Sequence, residues 1–266
     1  MLPVAVLAGV AIGLSLGALG SGGSILAVPV LVYLLDQSPL EATTGSLVVV
    51  AAASVTGAML AHRAGQLRVG RGLAFALVGT VGAAVGATWS LHVDPTVLMT
   101  AFSVVMLVVA ATMTRRLLAG SGAPGSALEV DAPIISVSPT FMCDCPRALK
   151  IVVTGFAVGV LTGFLGVGGG FLVVPALVLA LGLPMPSAIG TSLLVIAVNS
   201  VAAFAVRLGH GVQLDWAPLA LLTIAAVLGS VAGRRVAGRV DPRRLGFGFI
   251  GLLVAVGGYT AVVTLA

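Results

Sequence analysis

Long apolar stretches, separated by short polar connections, dominate the chain. Runs such as 47–60 and 245–266 contain no charged residue. Because a helix needs about 20 apolar residues to cross the hydrocarbon core of a bilayer, this pattern predicts membrane-spanning helices. The sequence therefore predicts an all-α polytopic membrane protein with apolar blocks at approximately 2–35, 42–62, 71–92, 96–118, 150–181, 187–207, 216–236 and 243–266.

The composition excludes water as the main solvent for this surface. The chain has 266 residues, 59% of them hydrophobic and 8% charged, with a mean hydropathy of +1.21, whereas soluble domains carry about 25% charged residues. The net charge of +5 reflects arginines between apolar blocks without interleaved aromatic residues, so we expect no nucleic-acid partner. We expect a multi-pass protein of the plasma membrane, the inner membrane in a bacterium. We expect the lipid bilayer as a partner, and the oligomeric state stays open.

The chain contains one dominant internal repeat. Gly17–Pro29 matches Gly163–Pro175, and the same offset holds without a gap as far as Ser54-Val55 and Ser200-Val201. After a one-residue insertion the match continues over nearly everything outside the middle of the chain. We therefore predict two homologous membrane repeats and a central, cytoplasmic linker rich in Gly, Pro and Ser, with boundaries at 1–118, 119–149 and 150–266.

The first apolar block of each repeat is too long for one crossing. A continuous helix over 2–35 would measure about 50 Å, against ~30 Å for the hydrocarbon core. Glycine-rich segments at 20–24 and 166–170 predict a break in the first helix of each repeat, as a re-entrant hairpin or as a kinked span. With hairpins, each repeat crosses three times and the second is inverted. All Lys and Arg residues except Arg207 then fall on one face, which the positive-inside rule assigns to the cytoplasm, so we favour inverted repeats.

The interior of the predicted spans offers backbone amides and hydroxyls rather than charged side chains. Asp, Glu, Lys and Arg are absent away from the block ends, which argues against a proton relay. Each break exposes N–H groups at the start of a short half-helix, where the positive end of the helix dipole favours an anion. We therefore predict that both breaks and nearby polar side chains bind one oxyanion near the midplane, through Gly20, Ser21, Gly22, Gly23, Ser24, Thr44, Ser46, Gly166, Gly168, Gly169, Gly170, Thr191, Ser192 and Asn199.

Packing explanations stand beside these assignments. Glycines also allow helices to cross closely, as expected for Gly82-x-x-x-Gly86 and Gly229-x-x-x-Gly233. A Ser or Thr hydroxyl often bonds a preceding carbonyl of its own helix, and Asn199 is equally suited to an interhelical hydrogen bond. Cys143 and Cys145 are too close for an ordinary disulfide and too few for a zinc site, so we expect no metal and no cofactor.

The segment Gly163–Pro175, taken together with Ala188–Leu193, resembles the sulfite exporter TauE/SafE family, also called the TSUP permeases. The resemblance extends over the whole chain, because the duplicated halves and polar-poor helices are similar to that family as well. The first repeat departs from the motif, since Ser24 stands where the second repeat has Gly170. The resemblance implies transport of sulfite, sulfonates or related organosulfur and organic anions.

The leading hypothesis is a transporter that exports a sulfur oxyanion or a small sulfonate by alternating access. An inside-negative potential drives an anion outward by about 2.3 kcal/mol per charge per 100 mV, without an intramembrane carboxylate. The alternatives are a channel, a cation-coupled uptake permease for organic anions, an intramembrane enzyme and a thiol-based sensor. We expect no enzymatic activity, because no catalytic residue set lies at membrane depth.

Overall fold

The fold is seen in a computed structural model that describes residues 2–20, 22–24, 27, 31, 39–90, 93, 95–118, 145–165, 170–208 and 215–265. Its helices are α1 (Leu2–Leu19), α2 (Pro39–Arg63), α3 (Val69–Ser90), α4 (Pro95–Leu118), α5 (Cys145–Leu165), α6 (Gly170–Leu179), α7 (Met185–Leu208), α8 (Trp216–Ala237) and α9 (Pro242–Leu265). No strand occurs in the described residues, which confirms the predicted all-α class.

The helix boundaries follow the apolar blocks, with one difference at α5. This helix begins at Cys145, inside the stretch assigned to the linker. Pro146 occupies its first turn, where a missing N–H costs no intrahelical hydrogen bond, so a helix start is compatible with this sequence. The preceding part of the linker, 119–144, lies outside the described residues and includes Cys143.

Six helices of the described ranges are long and apolar enough to cross a membrane. Three lie in each predicted repeat, at Thr44–Arg63, Val69–Gly86 and Thr100–Leu118, and then at Met185–Ala205, Trp216–Ala237 and Pro242–Val262. Large apolar side chains cover their outer surface, and Leu77, Trp89 and Leu228 are 60, 62 and 64% exposed. Such a surface fits lipid rather than water, and the predicted multi-pass membrane protein is confirmed.

Glycines hold two pairs of helices in backbone contact. A Cβ atom on Gly82 or Gly86 of α3 would meet backbone carbonyls of α5, and one on Gly229 or Gly233 of α8 would meet backbone carbonyls of α1. Space for a side chain is therefore missing at all four positions. The predicted role of both glycine pairs in close helix crossing is confirmed.

The two glycine-mediated interfaces correspond to each other under the repeat. In one of them Gly13 of α1 lies against the carbonyl of Ala226 in α8. In the other, the equivalent Gly159 of α5 lies against the carbonyl of Gly79 in α3, which is the position equivalent to Ala226. Each interface joins a helix of one half to a helix of the other, so the two halves are interlocked rather than placed side by side.

Equivalent helices of the two halves run in opposite directions. Gly57 of α2 lies opposite Leu193 of α7, and Ala61, one turn later, lies opposite the earlier residue Gly190. The pair α4 and α9 behaves likewise, because Leu117 in the last turn of α4 packs against the first turns of α9. Where these contacts are described, α2 and α7 are therefore antiparallel, and so are α4 and α9.

Basic residues gather at one end of the bundle. Arg234 in the last turn of α8 donates a hydrogen bond to Gln66 between α2 and α3. Arg116 in the last turn of α4 donates to the carbonyl of Val178 near the end of α6. Together with the short α8–α9 turn, these contacts place every Lys and Arg at this end except Arg207, which stands near the opposite end of α7.

Candidate functional site

The first glycine-rich segment reverses the direction of the chain. Gly20 follows the last residue of α1, has a φ of +82°, and donates its N–H to the carbonyl of Leu16 at 2.8 Å. Gly23 then lies against the carbonyl of Ile12 and the side chain of Leu16. A helix that continued straight would place residue 23 about 16 Å from residue 12. The helical residues at 22–24, 27 and 31 therefore return alongside α1.

The second break has the same outline in the residues that are described. α5 ends at Leu165, and the short helix α6 begins at Gly170 and packs against α5. Near its end, Val178 contacts Arg116 at the basic end of the bundle, which is also the end where α5 begins. Ser21, Gly166, Gly168 and Gly169, all predicted site residues, lie outside the described residues.

The two breaks meet halfway through the bundle. A Cβ atom on Gly170 would lie 2.5 Å from Ser24 Oγ and 3.1 Å from the Cδ1 of Ile196, a residue halfway along α7. Ser24 is 6% exposed and belongs to the returning segment of the first break, while Gly170 opens α6. We call this pair the tip contact. It brings together the beginnings of two short helical segments, whose first N–H groups have no partner within their own helix.

Gly22 and Gly23 lie in the first break, directly before Ser24 of the tip contact. A Cβ atom on Gly22 would lie 2.5 Å from the Cδ2 of Leu252 in α9. On Gly23 it would lie 2.5 Å from the Cγ of Leu16. The returning segment is thus packed closely on both sides, and its glycines are needed for that packing whatever else they do.

Thr191 and Ser192 stand beside the first break, towards the basic end. A Cβ atom on Gly20 would lie 2.7 Å from Ser192 Oγ. The Ser192 hydroxyl donates to the carbonyl of Ile189 at 2.9 Å, and Thr191 Oγ1 accepts the backbone N–H of Arg68 at 3.3 Å. Both side chains are fully buried. The local bonding that the sequence left as an alternative is therefore present for Ser192.

Thr44 and Ser46 lie on the other side of the tip contact. Their side chains are 1% and 6% exposed, in the first turns of α2. Because Gly57 faces Leu193, Ser192 stands near the depth of residue 58, and the twelve residues between 46 and 58 span about 18 Å of helix. The predicted hydroxyls therefore form two groups at different depths rather than a single ring around the midplane.

Asn199 links α7 to α3. Its Oδ1 lies 2.9 Å from the hydroxyl of Thr80, and that hydroxyl also lies 2.8 Å from the carbonyl of Ala76. A hydroxyl has one proton, so it donates to one of these acceptors at a time. The interhelical hydrogen bond that the sequence allowed for Asn199 is thus present.

Two buried hydroxyls were not among the predicted site residues. Ser54 Oγ and Thr162 Oγ1 are buried and have no hydrogen-bond partner in the described part of the chain. Ser54 lies three residues before Gly57 and hence near the depth of Ile196, next to the tip contact. Thr162 precedes the second break, at the position that Leu16 holds in the first repeat. A comparison of the repeats signals Thr162, because a polar residue replaces an apolar one there.

Metal chemistry finds no support in the residues described. They contain no group of three or more His, Cys, Asp or Glu side chains arranged to hold a metal ion. The described carboxylates are Glu41, Asp215 and Asp241. All three lie at helix ends, whereas the tip contact lies halfway through the bundle.

Six apolar spans around two chain reversals that touch at mid-depth define a polytopic membrane transporter architecture. The family model described as "Sulfite exporter TauE/SafE" matches residues 5–260. The chain belongs to the sulfite exporter TauE/SafE family, as its glycine motif predicted.

Two curated relatives agree with this membership. A "Probable membrane transporter protein" of Xylella fastidiosa (strain 9a5c) is 30% identical over 251 residues, 92% of this chain and 90% of the relative. A protein of the same name from Xylella fastidiosa (strain Temecula1 / ATCC 700964) is 33% identical over 187 residues, 70% of this chain and 66% of the relative. No solved structure gives a significant match. The protein is a multi-pass membrane transporter rather than an enzyme.

Proposed function

We propose that this transporter exports a small sulfur oxyanion, sulfite or a simple sulfonate, which binds where the two breaks meet. The observation that carries the proposal is the tip contact, where Ser24 and Gly170 bring the first turns of two short helical segments together at mid-depth. Free N–H groups at helix starts attract negative charge, and this attraction is stronger away from water. An anion is the solute class that such a site favours.

Two buried hydroxyls add to the support. Ser54 Oγ and Thr162 Oγ1 are buried without a partner among the described residues. A buried hydroxyl that lacks a hydrogen bond costs about 1–3 kcal/mol, and a bound oxyanion removes this cost by accepting the proton. Sulfite and sulfonates present three acceptor oxygens, so several donors act on one substrate.

Alternating access is the mechanism that the helix directions favour. The antiparallel course of α2 and α7 supports inverted repeats, in which the halves exchange conformations about a fixed central site. Ser24 and Gly170 touch in this conformation, so the proposal requires the tips to separate when the substrate enters.

Membrane orientation follows from the basic end of the bundle. All Lys and Arg residues except Arg207 lie there, and the positive-inside rule assigns that end to the cytoplasm. With the inside negative, a monovalent anion gains about 2.3 kcal/mol per 100 mV on leaving the cell. No coupling ion is needed for export.

Flux into proteoliposomes tests this function. We expect saturable, potential-sensitive transport of labelled sulfite or a small sulfonate, with sulfate, thiosulfate and small carboxylates as competitors. Acceleration of labelled flux by unlabelled sulfite on the opposite side would identify a carrier and exclude a channel. Absence of saturable flux for every anion tested would refute the proposal.

A further inference from the structure

Arg234 is a half-buried arginine for which the described part of the chain supplies no neighbouring acid. It lies in the last turn of α8, and one Nη donates to Oε1 of Gln66. Among the described residues no carboxylate lies within ion-pair distance of it. A guanidinium removed from water without a counter-charge is costly, and most of its five donors are left for another acceptor.

Arg234 stands at the approach to the first break. A Cβ atom on Gly17, one turn before the reversal of the chain, would lie 2.9 Å from the backbone nitrogen of Arg234. The carbonyl of its partner Gln66 would lie 2.8 Å from a Cβ on Gly190, two residues before Ser192, which contacts Gly20. The guanidinium is therefore on the side of the break that opens to the basic end of the bundle.

The opposite approach differs in charge. Gly86 and Gly233 are equivalent under the repeat, so Ala87 is the position equivalent to Arg234. In the connection that follows α7, the position equivalent to Arg68 is Asp215, which is exposed. At these two pairs of equivalent positions the basic end carries two arginines, whereas the opposite end carries an alanine and an aspartate, and Arg207 is the one basic residue at that opposite end.

From this asymmetry we infer that Arg234, oriented by Gln66, is a binding point for the anionic substrate at the cytoplasmic approach to the tip contact. The inference rests on the proposed function and adds a side chain, a substrate class and a direction to it. The planar fork of arginine matches two oxygens of a sulfite or sulfonate group. The site loads from the cytoplasm, and the acid at the other approach favours release.

The test compares R234Q and R234M with R235Q in proteoliposomes of uniform orientation. Arg235 is the matched control, because it is adjacent, exposed and carries the same charge. Unidirectional flux of labelled sulfite is measured with sulfite supplied at either face. Losing a charge-assisted hydrogen bond should raise the half-saturating sulfite concentration at the basic face about tenfold or more. The value at the other face should change less, and R235Q should match the wild type.

A second measurement separates binding from folding. Melting temperatures in detergent are recorded with and without sulfite, and we expect R234Q or R234M to melt normally without sulfite but to lose the sulfite-dependent increase. The inference would be overturned if the half-saturating sulfite concentration at the basic face were the same in R234Q, R234M and R235Q. In that case, saturable sulfite flux in the wild type would still support the proposed function. Absence of anion flux in the wild type would overturn both.

Discussion

An added methyl group at Gly170 tests whether the tip contact must form during transport. In G170A the new Cβ would lie 2.5 Å from Ser24 Oγ, 3.1 Å from Ile196 Cδ1 and 3.3 Å from Ser24 Cβ. Rotation of the Ser24 and Ile196 side chains relieves the first two clashes, because both atoms are at side-chain ends, but not the contact with Ser24 Cβ. The tips would have to move apart by several tenths of an ångström to reach ordinary contact distances of about 3.5–4.0 Å.

The energetic cost gives the size of the effect. Overpacking of this kind costs about 1–3 kcal/mol. This penalty applies only to the conformation in which the tips touch, so the population of that conformation should fall about 5–150-fold relative to one with separated tips. If transport passes through the closed conformation, sulfite flux in G170A should fall by about the same factor.

The assay is initial sulfite flux in proteoliposomes at equal protein density, with melting temperature as a check on folding. G251A is the matched control, because a Cβ on this glycine in α9 has nothing within 4 Å. It should keep wild-type flux and gain roughly 0.5–1 kcal/mol from the better helix former. Wild-type flux in G170A would refute the reasoning.

Three further predictions concern packing, recognition and topology. G13V should lower the melting temperature sharply or prevent folding, because its side chain meets a carbonyl of α8, whereas G70A, with nothing within 4 Å of its Cβ, should not. T162V should leave stability unchanged or slightly higher and raise the half-saturating sulfite concentration several-fold, since it removes a buried hydroxyl that has no partner among the described residues. An unchanged half-saturating concentration would remove Thr162 from the site. Single cysteines at Gly65 and Arg239 should both react with an impermeant thiol reagent from the cytoplasmic side, and reaction from opposite sides would contradict inverted repeats.

Much of the architecture could be predicted from the sequence, because glycine patterns indicate where two helix backbones approach each other closely. The breaks were predicted from glycine-rich segments, and the structure places a chain reversal with a positive φ at Gly20 in the first of them. The crossing of α3 with α5 and of α8 with α1 follows from the spacing of small residues. These features depend on the missing side chain of glycine. A glycine pattern can be recognised in the sequence without knowledge of the three-dimensional structure.

The arrangement of polar side chains was harder to predict. The sequence grouped Ser46 with Ser192 because they are equivalent in the repeat, but equivalent residues on antiparallel helices lie at opposite depths. Thr162 was missed because a threonine in a membrane helix often bonds a carbonyl of its own helix. Arg234 was missed because an arginine at a helix end usually faces solvent. The depth and orientation of a side chain in the bundle depend on the direction of its helix. The periodicity of the sequence does not indicate that direction.

The central claim is that peptide N–H groups of two breaks hold an anion at mid-depth. Crystals grown with selenite, which has the shape and charge of sulfite and scatters anomalously, test it most directly. The account predicts a selenium peak beside Ser24 and Gly170, within hydrogen-bond distance of the first N–H groups of α6, with the two tips separated. A selenium peak elsewhere in the bundle, with the tips still touching, would contradict it.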